Sequence, residues 1–230
     1  MKKRTVLKVF LVWFLIMSSL TAFPVQVYSG STTDELLEFL TIPFVLLDKL
    51  FTWYTVHNAV DYLNPITRNF FLKRIHPSHG GKYTVDQICD IWEYCYNNWI
   101  YVSDPYTAEY VARASETIQN GLRGDCEDFA ILIAAGIKVI GGASRIIFER
   151  KGNEAHGYAE VYIGRESSSQ WLFDCLGGIY PEVELFYIHR APNNEIGVSD
   201  DIWLNLDYTT SHPGGPFMFK NGTIVAIYNF

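Results

Sequence analysis

Gly124-Asp125-Cys126-Glu127-Asp128-Phe129 stands directly before the apolar run Ala130 to Ile140, AILIAAGIKVI. Ten or more residues of that character, closed by Gly141-Gly142, predict a buried helix. Asp125 is its N-cap, and Asp128 three residues later supplies the partner of a capping box. Cys126 therefore falls on the first turn. A thiol there meets unpaired backbone N–H groups and the positive end of the helix dipole, both of which favour the thiolate. Glu127 and Asp128 are anionic neighbours that oppose this. They read as capping and solvated residues, the ordinary place for acids on a first turn. The stretch thus places a candidate nucleophile at the start of a core helix.

The elements around it predict the fold class. Upstream, Val85, Ile88, Ile91, Trp92, Cys95 and Trp99 recur at helical spacing, and Thr84-Val-Asp-Gln87 is a capping box at their start. Ile100 to Pro105 leaves that helix as an extended turn, Thr107 to Asn120 reads as a further short helix, and Gly121 to Gly124 as a tight loop. Downstream the period changes to two. Ser144 to Phe148 and Ala155 to Ile163 read as strands, followed by Trp171 to Asp174, Trp203 to Asp207 and Ile224 to Tyr228. Helices first and strands later predict an α+β fold with helices packed on an antiparallel sheet.

Composition excludes several function classes. The 230 residues are 49% hydrophobic, with 15 Tyr, 15 Phe and 6 Trp, enough for a sizeable core and without disordered bias. A formal charge of −7, with no basic stripe beyond the extreme N-terminus, argues against nucleic acid as a partner. Four cysteines do not make a disulfide framework. Cys89 and Cys95, six apart on a helix, have no zinc-ligand spacing.

A thiolate enzyme needs a base, and the base needs an orienting carboxylate or amide. His76 and His79 lie in a Pro/Gly loop and read as solvated. His57 and His189 have no supporting pattern, and His212 belongs to a Ser-His-Pro-Gly-Gly turn. His156 opens the clearest strand, one helix and one strand beyond Cys126, so a helix start and a strand end can meet.

Taken together, Gly124 to Phe129, His156-Gly-Tyr-Ala-Glu-Val-Tyr162 and Trp203-Leu-Asn-Leu-Asp207-Tyr-Thr209 resemble the core of the transglutaminase-like superfamily over roughly Thr84 to Phe219. The resemblance implies a papain-like architecture and a Cys-His-Asp triad: Cys126 as nucleophile, His156 as general base and acid, Asp207 as orienter. Asp174 competes for the third role because it lies nearer the family's usual spacing. Asp207 is favoured because Trp203, four residues earlier, shares its face on a strand, whereas Trp171 and Asp174 do not. Tyr208 replaces the family's common proline. The Cys126 N–H is a natural oxyanion donor. Trp92, Asn98, Trp99 and Tyr101 are candidates for a second donor, with no spacing that singles one out. The imidazolium of His156, more than the helix dipole, would then hold the thiolate. The residues imply no metal or organic cofactor. The resemblance implies hydrolysis of a peptide or amide in preference to transamidation, with a non-catalytic binding module at the cell envelope as the alternative.

The N-terminus reads as an address. Lys2-Lys3-Arg4 precede a mainly apolar stretch from Val6 to Phe23, so residues 1–30 are expected to be a signal peptide or a membrane anchor. Residues 31–81 read as a helical extension and linker, with Pro43 dividing its apolar part, and residues 82–230 as the catalytic domain. The expected location is extracytoplasmic, secreted or anchored, with a protein or peptide of the envelope as substrate and membrane association through the N-terminus.

Overall fold

In the computed structural model the described residues are 50–104, 110–190 and 200–230. The expected signal or anchor, residues 31–49 of the extension and the start of the helix predicted at Thr107 lie outside them. Among the described residues no helix is long and apolar enough to cross a membrane.

The core is built around α5 (Cys126–Val139), whose residues from Asp128 to Ile137 are all buried. A helix apolar on every side demands cover on every side. The cover on one side is a five-stranded antiparallel sheet of β3 (Ser144–Lys151), β4 (Glu154–Arg165), β5 (Ile188–Arg190), β6 (Asp201–Asn205) and β7 (Thr223–Asn229), in the order β5-β6-β4-β3-β7. Helices α2 (Pro65–Leu72), α3 (Val85–Asn98) and α4 (Ala114–Gln119) supply the rest. Ile131, Leu132, Ile133 and Ile137 are fully enclosed, each contributing about 2 kcal/mol by burial. Residues 50–59 form α1, and its Val56 and Ala59, with Val60 beyond it and Phe71 of α2, enter the same core. The stretch read as linker therefore holds a packed helix, entered by Asn64, whose side chain accepts from the Ile66 N–H.

The antiparallel α+β arrangement is the expected one. Helix α3 begins at Thr84 with the full Thr84–Gln87 capping box. Two elements differ from expectation. Trp171 to Asp174 is not a strand but part of α6 (Gln170–Ile179). Leu172 and Leu176, one helical turn apart, both bury, and that pair sets the period which four residues alone did not display. Of the described part of the helix predicted over Thr107 to Asn120, residues 110–120, Ala114–Gln119 is helical. The Tyr110 and Ala112 N–H groups are held instead by the carboxylates of Asp104 and Asp128, which removes them from a helical ladder.

Two glycines position the site. A Cβ on Gly124 would lie 2.2 Å from Asp128 Oδ2, so only glycine lets the capping carboxylate close over the helix entrance. A Cβ on Gly157 would lie 3.6 Å from the Cα of Glu127. The strand beside His156 thus runs against the first turn of α5. Just before it, β1 (Ile100–Tyr101) pairs in parallel with β2 (Arg123–Gly124), fixing the path into that turn.

Candidate active site

Cys126 is the first residue of α5. Asp125 Oδ1 accepts from the N–H groups of Glu127 and Asp128 at 3.1 and 3.5 Å, and Asp128 Oδ2 accepts from the Asp125 N–H at 3.4 Å. Asp128 is buried, contrary to the reading of it as solvated. Its second oxygen takes the Ala112 N–H at 3.1 Å, tying the loop before α4 to the helix start. Burial, then the Asp125 charge, pushes its carboxyl up to about 6.

His156, on β4, is 3% exposed, and its Nε2 lies 2.7 Å from Asp207 Oδ2. The Cys126 thiol lies close enough to act on the same ring. With Nε2 committed to the carboxylate, Nδ1 is the nitrogen left for the sulfur. Burial pulls the imidazole down, but the hydrogen bonds and charges of Asp207 and Cys126 outweigh it and lift His156 to about 9. The structure thus brings together the three residues that sequence reasoning selected.

Asp207 lies just past the end of β6 and is 1% exposed. Its carboxylate accepts from the Thr209 N–H at 3.2 Å and the Thr209 hydroxyl at 2.8 Å, besides His156. Its own N–H donates to Asn205 Oδ1, and Asn205 Nδ2 donates to the Gly215 carbonyl. A buried carboxylate with this many donors is fixed in direction. Asn205 and Thr209 were missed as supporting residues. The available signal was their spacing of two on either side of Asp207, the reach of Asx-type turns. Asp174 is on the exposed face of α6, where it accepts from Gln170 at 3.0 Å, and it does not meet His156.

Aromatic rings close the surroundings. Tyr208, the residue in place of the family's proline, packs on His156, Phe129 and Tyr101 at centroid distances of 5.9, 5.4 and 6.0 Å. Of the four candidates for a second oxyanion donor, Trp92 Nε1 donates to the Leu206 carbonyl and Asn98 Nδ2 to the Tyr94 carbonyl. Trp99 Nε1 is buried without a partner among the described residues. Tyr101 is held up, first by burial and then by the nearby Cys126 and Asp125 charges, and so belongs to the same neighbourhood. Among the described residues no group of three or more His, Cys, Asp or Glu side chains is arranged to hold a metal.

Residues 74–173 match the family described as the Transglutaminase-like superfamily. The matched segment contains Cys126 and His156 and ends before Asp207, whose assignment rests on the contact with His156. No curated protein matches the chain. Among solved structures, calcium-bound LapG of Legionella pneumophila is 21% identical, with a TM-score of 0.45 over 77% of this chain and 83% of its own. A candidate cysteine protease from Cytophaga hutchinsonii is 16% identical, with a TM-score of 0.35 over 71% of this chain and 49% of its own. The chain spans about half the length of that second protein.

Proposed function

We propose that the protein is an extracytoplasmic cysteine hydrolase of peptide or amide bonds, working through a thioester on Cys126. The observation that carries this reading is the buried His156–Asp207 pair at 2.7 Å, with the Cys126 thiol on the other side of the imidazole. The thiol proton passes to His156, and the sulfur attacks the substrate carbonyl carbon. The resulting oxyanion sits at the start of α5, within reach of the Cys126 N–H. Collapse breaks the C–N bond, and the imidazolium gives its proton to the departing amine. Water then attacks the thioester, His156 takes its proton, and the acid leaves as the proton returns to sulfur. Asp207 keeps the ring in place. An amine in place of water would give acyl transfer by the same steps. The basic and apolar N-terminus supports an envelope location with a protein or peptide substrate.

The test is alkylation by iodoacetamide in a Cys175→Ser background, which removes the one exposed cysteine. Cys126 is expected to react at least about tenfold faster than a free cysteine at pH 7, and His156→Ala to abolish the advantage. Equal, slow labelling of Cys126, Cys89 and Cys95 would sink the reading and favour a binding module. If Cys126 labels selectively, mass analysis of the protein incubated with envelope extract should find an acyl group on Cys126.

A further inference from the structure

Beside the His156 ring, on the side of Phe219, lies a cleft of about 530 Å³. Glu149, Tyr187, His189, Phe217, Phe219 and Lys220 line it. Glu149 is the cross-strand partner of His156 in the β3–β4 register, so the two side chains leave the sheet on the same side. It is 4% exposed, and its Oε1 is buried with no hydrogen-bond partner among the described residues. The His156 and His189 charges act on it through space and the Phe219 backbone N–H lies nearby, but no ion pair holds it among the described residues. A second orphan lies close by: the hydroxyl of Tyr158, whose ring packs on His156 and Phe217 at 5.9 and 5.7 Å.

A buried carboxylate with an empty acceptor is costly to the fold unless something completes it. The other ionisable liners do not. His189 is stacked flat on Phe217 at 4.0 Å, and its Nδ1 lies 2.6 Å from Glu160 Oε1 without hydrogen-bond geometry. Lys220 is exposed at the mouth, where water screens it more than protein screens Glu149. A carboxylate walled by aromatic faces suits a cation with an apolar stem. The location decides which part of a substrate would enter. The cleft meets the imidazole through Phe219, whereas Tyr101, Tyr208 and Asp125 surround the sulfur on the other side. The imidazole hands its proton to the departing amine, so a pocket on its far side receives the amine half of the substrate.

We infer that the Glu149 cleft is a specificity subsite for a basic side chain, lysine or arginine, on the amine side of the bond that Cys126 opens. This rests on the hydrolase reading above, and the test separates the two. Fluorogenic peptides carrying Lys, Arg or norleucine immediately after the scissile amide would be compared in the wild-type chain, Glu149→Gln and Glu149→Asp. The wild type is expected to favour Lys or Arg over norleucine in kcat/KM by about 30-fold or more, the range for losing one partner of a buried charge pair. Glu149→Gln should bring that ratio near one, and Glu149→Asp, with its carboxylate drawn back by one methylene, should fall between. In parallel, binding of n-butylguanidinium to the full chain with Cys126→Ala would be followed by NMR and calorimetry, with and without Glu149→Gln. Loss of about 30-fold in affinity supports the subsite even if no peptide is cleaved, in which case only the hydrolase reading fails. Cleavage without preference for a basic residue, a ratio untouched by Glu149→Gln, or guanidinium binding that ignores Glu149 would each overturn the subsite. A buried water satisfying Glu149 and Tyr158 would give those last results.

Discussion

Helix α3 buries Cys89 and Cys95 within its body, at 4% and 0% exposure, whereas helix α5 sets Cys126 on its first turn, half-buried and against His156. The two helices are alike in length and in capping box. What differs is where the sulfur sits relative to the helix end. In mid-helix the backbone donors are spent on the ladder, the thiol is packed by apolar neighbours, and burial pushes Cys89 up to about 12. On the first turn the Cys126 N–H stands outside the ladder, a histidine reaches the sulfur, and a buried carboxylate holds the histidine. The same residue type is packing material in one helix and candidate chemistry in the other.

The sharpest way to break that contrast is to remove what holds the histidine. Asp207→Asn keeps the shape and the Thr209 contacts but removes the charge. Turnover is expected to fall roughly 10²- to 10⁴-fold, as when a triad carboxylate loses the correct tautomer. The alkaline limb of the pH–rate profile should also move to lower pH, because Asp207 is among the groups that lift His156 to about 9. Asp174→Asn should leave both unchanged. The reverse result, with Asp174 mattering and Asp207 not, would mean that the 2.7 Å contact is structural only.

How much of this was legible in the sequence follows from the range of each interaction. Cys126 and its cap are local: Asp125, Asp128 and Gly124 lie within one turn and announce themselves. His156 and Asp207 are distant in the chain, yet each heads or ends a strand with a distinctive motif, so the resemblance carried them. Asp128 was misjudged because its burial depends on Ala112, on a loop that no local pattern predicts. Trp171 to Asp174 was misjudged because three apolar residues and an aspartate fit either period, and only Leu176 beyond them decides. Glu149 was invisible for another reason. Its sequence neighbours give an ordinary strand, and its significance arises from the cross-strand register and the return of residues 216–222 over the sheet.

A second, smaller effect bears on the site through stability. The folded-state value of His156, about 9, lies above the ordinary 6.5. Its contribution is therefore fully present below about pH 6.5 and is lost as pH rises through 9, amounting to about 3 kcal/mol at most. Asp128, raised to about 6 from 3.8, works with the same sign at lower pH: the folded state holds its proton more tightly, so stability falls between pH 4 and 6. Urea unfolding should accordingly show two descending steps with rising pH. His156→Gln should flatten the upper step and leave the lower one. An upper step that survives the substitution would mean that another group titrates there.

The smallest expected effect tests the other half of the comparison. Cys95 is fully buried beside α2, and its thiol is pushed up by burial alone apart from an opposing Arg74 charge. Cys95→Ala removes one sulfur from a packed interior, a loss comparable to a buried methyl group, and should cost about 1 kcal/mol in unfolding free energy. The iodoacetamide rate at Cys126 and any turnover should not change, because nothing links Cys95 to His156 except the shared core. Were Cys95→Ala to slow Cys126, the first turn of α5 would depend on the packing of α3. The division between a structural thiol and a reactive one would then be a matter of coupled packing and not of position on the helix.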